Sequence, residues 1–325
     1  MPRAVMTEAV VVTGAAGFIG SHLVDRLLEQ GYRVVGIDSM RTGSIQNLEN
    51  AMEYENFELF EEDVCDSSLK EKINEQVGLI FHLAAISSVK LSIEDPWIVK
   101  RVNVDGTINM LDFAVEKGAR RFVYASSAAV YGDPTKLPAT EDTPVYPLSP
   151  YAASKLSAEM YCLAYGETYG VPPTILRYFN VYGPRQEHSE YSGVIPIFIN
   201  QALRDIPITV DGDGEQTRSF IHVEDVVTAT LLAGQSAETE FHTLNVSGTK
   251  SISILQLAKL VKQYTPDSKS VIVHGPPRKG DVRDSIGSIA RISKLLDFTP
   301  TVSLETGLER TVSWYELGSL YEWEG

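Results

Sequence analysis

Tyr151 and Lys155 lie four residues apart in the stretch Ser149-Pro150-Tyr151-Ala152-Ala153-Ser154-Lys155. On a helix that spacing sets a phenol and an ammonium on one face. A phenol titrates near pH ~10 in water, so alone it is a poor base at neutrality. A neighbouring positive charge favours the phenolate, and the pair then becomes a base able to take a hydroxyl proton. The competing reading is an aromatic on a core face and a lysine in solvent. A second group with chemistry closes the apolar run Val123-Tyr124-Ala125, where Ser126 and Ser127 follow in sequence. One of their hydroxyls could bridge a substrate hydroxyl and the Tyr151 oxygen. The alternative is a pair of turn serines that satisfy backbone groups.

The elements that must position these groups are legible nearby. Ser149 suits an N-cap and Pro150 the first helical position, so the spacing predicts a helix starting at Pro150. Earlier, Val10-Val11-Val12-Thr13 stops at Gly14, and an apolar-periodic segment runs from Phe18 to Leu28. This reads as strand, tight turn and helix. Gly14, Gly17 and Gly20 let the chain reverse and let backbone approach a ligand, while the helix N-terminus offers N–H groups to a pyrophosphate. A second strand, Arg33 to Ile37, ends in Asp38, eighteen residues after Gly20. An acid there accepts from both hydroxyls of an adenosine ribose and repels a 2′-phosphate, which favours NAD over NADP. The alternative is an ordinary turn residue at a strand end. A nicotinamide would also supply the positive ring that favours the Tyr151 phenolate.

The chain has 325 residues, 43% of them hydrophobic and 22% charged, as in an ordinary globular protein with one large or two fused domains. Its formal charge of −15 disfavours nucleic acid and anionic membranes as partners. An anionic substrate must then be caught by locally placed arginines. Cys65 and Cys162 have no metal spacing and suit a reducing, cytoplasmic setting. His22, His82, His188, His222, His242 and His274 are scattered, so no metal is expected. Met1 to Thr7 lacks a signal-peptide apolar region, and no apolar run has transmembrane length.

Strand-like and helical patterns alternate to about Lys155. Phe57 to Phe60 is a third strand, with Asp66 or Ser67 as the expected cap of the next short helix. Leu79 to Ala85 is a fourth strand, a helix runs from Asp95-Pro96 to Lys117, and Arg121 to Ala125 is a fifth strand. The expected fold class is α/β, a Rossmann-type doubly wound parallel sheet whose ligands sit beyond the carboxyl ends of the strands. After a sixth strand, Thr174 to Tyr178, the alternation is lost and Pro- and Gly-rich joints recur. The division expected is a dinucleotide-binding domain over 1–178 and a smaller, less regular substrate lobe over 179–325. Residues 220–246 are expected to pack back on the first.

The pieces Thr13 to Gly20, Asp38, Asp63-Val64, His82-Leu83-Ala84-Ala85, Asn103 to Thr107, Ser126-Ser127 and Tyr151 with Lys155 occur in that order. Arg177 to Gln186, Asp211-Gly212-Asp213-Gly214, Arg218 and Gly280-Asp281-Val282-Arg283 follow. Together they resemble the extended short-chain dehydrogenase/reductases, and among them the nucleotide-sugar 4-epimerases of the UDP-glucose/UDP-N-acetylglucosamine type. The similarity runs from Val10 to about Leu296.

The resemblance implies that Gly14, Gly17, Phe18, Ile19 and Gly20 hold the pyrophosphate of NAD, Asp38 its ribose, and Asp63 and Val64 its adenine. Leu83, Ala84, Ala85, Asn103 and Tyr178 line the rest, and Tyr151 and Lys155 also touch the cofactor. Ser127, Tyr151 and Lys155 become the catalytic set. Asn180, Arg218 and Arg283 grip the uridine diphosphate, and guanidinium forks suit phosphate oxygens. A surface ion pair is the competing fate of each arginine. Ser88, Gln186, Val194 and Ser285 fall at the sugar, with Gly193 beside them. Ser219 departs from the Asp that the family often has after its arginine.

In the related dehydratases and decarboxylases an acid follows the catalytic Ser or Thr and performs a second step; here Ala128 and Ala129 stand there. The resemblance therefore implies an isomerase that inverts the sugar 4-hydroxyl through a transient 4-keto form. Ser285 is small where enzymes restricted to plain hexoses tend to have Tyr, so UDP-GlcNAc and UDP-GalNAc are expected substrates beside UDP-Glc and UDP-Gal. Rival readings are a UDP-glucuronate 4-epimerase, a dehydratase or decarboxylase, and a non-catalytic NAD-binding sensor. The family also implies a homodimer through a four-helix bundle, made from the helix ending near Lys117 and the one starting at Pro150.

Overall fold

The computed structural model describes residues 8–186, 193–277 and 282–319. Met1 to Thr7, His188 and Gly280-Asp281 lie outside the described residues. Six parallel strands build the main sheet in chain order: β1 Ala9–Thr13, β2 Val34–Asp38, β3 Phe57–Glu61, β4 Val77–His82, β5 Arg121–Ser127 and β6 Pro173–Tyr178. Their spatial order is β3-β2-β1-β4-β5-β6, and Thr243–Val246 adds a seventh parallel strand beside β6. The order reverses between β1 and β4, so a crevice opens beyond their carboxyl ends, as in doubly wound sheets. The expected fold class is borne out.

Alternation across β1 explains the two layers. Val10 and Val12 join one apolar cluster with Leu23, Leu27 and Val226, whereas Val11 joins another with Met110, Phe113 and Ala158. The first cluster is closed by the helix α1, Phe18–Glu29, and by Val223–Gln235. The second is closed by Gly106–Lys117 and Pro150–Tyr169. A third cluster, including Phe198, Val210, Leu257 and Leu308, belongs to the later lobe. There the helices Val194–Leu203, Ile254–Tyr264 and Leu304–Ser319 surround short strands, among them Thr217–Ser219 paired with both Ser251–Ser253 and Asp284–Ser285.

Several boundaries differ from expectation, each for a local reason. β4 stops at His82 because the next residues turn into the crevice, where Ala84 N–H reaches the Thr13 hydroxyl at 3.1 Å. β5 continues to Ser127 because Ser126 and Ser127 still pair with Arg177 and Tyr178 of β6. The short helix after β3 starts at Leu69; Asp66 instead accepts the Ser68 N–H at 2.8 Å. The helix from Pro96 to Lys117 contains one widened turn, Arg101–Asp105. Such turns recur at functional sites, and this one carries Asn103. Among the described residues no helix is long and apolar enough to cross a membrane.

Candidate active site

The Gly14–Gly20 turn is shaped by what a side chain would strike. A Cβ on Gly20 would stand 1.9 Å from the Gly14 carbonyl oxygen, and one on Gly14 would stand 2.9 Å from Ala84 N. Gly14 also has φ +70°, which other residues adopt at a cost. Gly17 caps α1 without a side chain, so the first-turn N–H groups stay available to an anion at the cleft. At the end of β2, Asp38 accepts from Ala16 N and Met40 N, each at 2.9 Å. Burial pushes its carboxyl above the ordinary value, and those backbone N–H groups oppose the rise.

These residues open on one cleft of about 1700 Å³. Single-ligand pockets run to about 1,000 Å³, so this one has room for a dinucleotide and a second ligand side by side. Gly14, Gly17, Phe18, Ile19, Gly20 and Asp38 line it, as do Asp63, Val64, Leu83, Ala84 and Ala85. The bare cradle, the acid at the strand end and the free helix terminus fit NAD. Tyr178 lines the cleft too, its hydroxyl held by Thr230 at 2.7 Å. Asn103 is buried behind the wall, donating to Ile86 O and Ser154 Oγ at 3.0 Å and accepting from Ile86 N at 2.8 Å.

The Pro150–Tyr169 helix begins as its caps dictate, with Ser149 Oγ accepting from Ala152 N at 3.1 Å. It delivers Tyr151 and Lys155 to the same cleft, beside Ser126. Lys155 Nζ donates to the Ala125 carbonyl at 2.8 Å and lies 5.0 Å from the Tyr124 ring centre. Burial pulls its pKa down to about 8, partly offset by the Glu159 carboxylate. Burial pushes Tyr151 above the ordinary phenol value, and the nearby Ser127 hydroxyl opposes the rise. Ser127 Oγ also accepts from Ala129 N at 3.2 Å.

Behind this pair stand groups that local sequence spacing does not reveal. Glu159, one turn beyond Lys155, is fully buried and accepts from Arg177 Nε at 3.0 Å and Nη2 at 2.7 Å. Ser126 donates to the same carboxylate, and the Arg177 guanidinium lies 4.7 Å from the Tyr131 ring centre. On the other side, His82 links two hydroxyls: Nδ1 is 2.7 Å from Thr13 Oγ1 and Nε2 is 3.0 Å from Thr107 Oγ1. Thr107 donates to the Asn103 carbonyl at 2.7 Å, so it must accept from His82 Nε2–H, and Nδ1 accepts from Thr13. The ring is therefore neutral.

That neutrality has a measurable consequence. Burial, with the Lys155 charge adding to it, holds His82 down to about 3 from 6.5, and burial holds His22 down to about 4. A depressed histidine pKa means that the unfolded chain binds the proton first. Its stabilisation is complete above pH 6.5 and is lost as pH falls below that value. Each ring should cost about 1.4 kcal/mol per pH unit in that window. Calorimetry between pH 6.5 and 5 should show a continuous fall in Tm, with a shallower slope in His82→Asn. A flat profile would contradict the assignment.

Of the residues expected at the substrate, some line this cleft or its neighbour, while Arg283 and Ser285 line neither. Ser88 lines the large cleft, its Oγ accepting from Leu91 N at 2.9 Å. Asn180, Val194 and Arg218 line an adjoining cavity of about 240 Å³, and Gln186 and Gly193 border both. Arg218 Nη1 donates to the carbonyls of Thr217 at 2.9 Å and Arg283 at 3.0 Å, contacts that orient it with Ser219 in the following position. Ser219 itself is paired with Ser247 at 2.7 Å. Ser285 lies 3.4 Å from Asn180 Nδ2. Arg283 pairs with Asp213 at 3.2 Å and is 59% exposed. Arg185 also lines the large cleft, as do Trp314 and Gly318 of the last helix, two residues that no sequence motif singles out.

Among the described residues no cluster of three or more His, Cys, Asp or Glu could hold a metal ion, and Cys65 and Cys162 are free thiols. Residues 10–247 match the NAD dependent epimerase/dehydratase family. A UDP-glucose 4-epimerase of Mycolicibacterium smegmatis is 39% identical over 307 residues, covering 94% of this chain and 97% of that one. A UDP-N-acetyl-alpha-D-glucosaminuronate decarboxylase of Bacillus cytotoxicus is 34% identical, covering 95% and 98%. Among solved structures, a UDP-glucuronic acid 4-epimerase of Bacillus cereus in complex with UDP-glucuronic acid and NAD is similar with TM-score 0.89. It is 32% identical and is covered to 99%, against 95% of this chain. The chain therefore belongs to the NAD dependent epimerase/dehydratase family of extended short-chain dehydrogenase/reductases, and is an NAD-dependent enzyme of its UDP-sugar branch.

Proposed function

We propose that the protein is a UDP-sugar 4-epimerase acting on UDP-GlcNAc and UDP-GalNAc as well as UDP-Glc and UDP-Gal. The observation that carries this reading is the convergence of Tyr151, Lys155 and Ser126 on the glycine-cradled cleft, with Ser127 next in the chain and Ala128 and Ala129 in the turn after it. Neither alanine can move a proton, which leaves no acid at the place where the dehydratases and decarboxylases use one.

Bound NAD supplies a reversible hydride acceptor and a positive ring. Tyr151 removes the proton of the sugar 4-hydroxyl and later returns one to the opposite epimer. In this reading the nearby Ser127 hydroxyl shares the transferred proton with that phenol. Lys155, fixed on the Ala125 carbonyl, keeps a positive charge beside the developing phenolate. The uridine diphosphate is held remotely by Asn180, Arg218 and Arg283, so binding energy is realised away from the carbon that inverts. Arg283 gives up only an exposed ion pair to do this, worth about 0–1 kcal/mol, so the exchange costs little. Ser88, Gln186, Val194 and Ser285 surround the sugar. The short side chain at 285 stands beside Asn180, and this reading takes its lack of bulk to admit a 2-acetamido group.

The division of labour in this reading places NAD in 1–178, with 220–246 added to that unit, and the UDP-sugar in 179–325. Incubation with each of the four UDP-sugars and chromatographic resolution of products tests the reading. Interconversion of the 4-epimers is expected; a 4-keto-6-deoxy product, a decarboxylated product or inert UDP-sugars would overturn it.

The same proposal includes a homodimer through the helices Gly106–Lys117 and Pro150–Tyr169. Met160 is 49% exposed, Tyr161 43%, Tyr169 56% and Val115 37%, so both helices carry exposed apolar side chains that a second copy could cover. Light scattering should give the mass of two chains, and Tyr161→Glu should shift it toward one; a single-chain mass for the unaltered protein would refute the dimer.

A further inference from the structure

The turn Gly183–Gln186 carries Gln186 to the border of the two cavities, and its backbone is held in an unusual form. Arg185 has φ +64°, a region that residues other than glycine enter only when their surroundings impose it. Three side chains from two helices do so here. His22 Nε2 lies 3.0 Å from the Pro184 carbonyl, and since the ring is neutral with one N–H, it donates there. The Asp25 carboxylate pairs with Arg185 Nη1 at 2.7 Å, with the two side chains only 21% and 17% exposed. From the opposite side, Tyr315 donates its hydroxyl proton to the Gln186 carbonyl.

His22 and Asp25 are three apart on α1, hence on one face. The first turn of that helix, Phe18 and Ile19, lines the cofactor cleft. One rigid element therefore serves the dinucleotide at its N-terminus and grips the substrate-side turn along its flank. Gln186 ends with its Nε2 donating to the Val181 carbonyl at 3.3 Å. Its Oε1 is buried with no donor among the described residues, and a buried acceptor left over in this way calls for a partner. A sugar hydroxyl is a donor of the required kind.

We propose that His22 and Asp25, acting with Tyr315, are positioning residues that clamp the Gly183–Gln186 turn and aim the Gln186 amide at a hydroxyl of the bound UDP-sugar. This rests on the substrate reading above and adds to it the side chains that hold Gln186 in place. The clamp acts through Gln186 and has no part in holding NAD.

A double-mutant cycle between Asp25→Ala and Gln186→Ala tests it. Each single change should raise KM for the UDP-sugar about tenfold, equivalent to ~1.4 kcal/mol, with kcat within about twofold and NAD content unchanged. In the Gln186→Ala background, Asp25→Ala should add less than about twofold, because the group it positions is already gone. His22→Gln, which keeps an N–H donor, should restore what His22→Ala loses. Multiplying effects, or an unaltered KM in Asp25→Ala, would overturn the clamp. Hydrogen exchange of the amides of 181–186 reads it without turnover: faster exchange in Asp25→Ala is expected, and unchanged exchange would refute it. An unaltered protein that turns over no UDP-sugar would instead refute the substrate reading, with the exchange experiment still judging the clamp.

Discussion

Replacing Tyr151 by Phe should lower kcat by about 10²–10⁴-fold, the usual worth of a positioned acid–base group, while NAD stays bound. The ring still fills its place beside Lys155, and the glycine cradle and Asp38 are untouched, so the loss isolates the phenolic oxygen. Lys155 should matter through charge: burial holds it down to about 8, so Lys155→Met removes a cation that the phenolate needs. Product chromatography gives kcat, and NAD released on denaturation gives cofactor content. Full activity in Tyr151→Phe would remove the residue from its role.

The second large effect falls on stability. Glu159 and Arg177 form a fully desolvated ion pair beneath the β5 serines. Removing one partner of such a pair strands the other charge in low dielectric and costs about 3–5 kcal/mol. Glu159→Ala should therefore lower stability by that amount and displace Ser126 and Lys155 with it. Replacing both partners by methionine should be far milder than either single change, since no charge is left behind. Denaturant unfolding of the single and double variants decides this. A Glu159→Ala protein as stable as the original would contradict it.

What could be read from the sequence was whatever has a short period. The first strand, the glycine turn and α1 were legible because a continuous apolar run ends at Gly14 and apolar spacing of about 3.6 begins at Phe18. The Pro150 helix start was legible because Ser149 and Pro150 are chemically suited to their two positions. What stayed hidden depends on contacts between distant segments. Glu159 looks like one more polar helix residue until β6 brings Arg177, eighteen positions away, against it. Lys155 reads as a partner for the phenol, yet its first hydrogen bond is to the Ala125 carbonyl. The widened turn at Asn103 has no sequence punctuation, and the partners of its amide, Ile86 and Ser154, lie on distant segments. His22 and Asp25 belong to an ordinary amphipathic helix, and only the strained turn at Arg185 gives them a task.

In the proposed cycle the sugar carbon is transiently oxidised at C4, with Tyr151 handling the proton. Carbon-bound deuterium at C4 of UDP-glucose tests it most directly. NMR should find the label still at C4 in the UDP-galactose formed, with none passed to solvent. Epimerisation accompanied by loss of that label to water, or no epimerisation at all, would contradict the account.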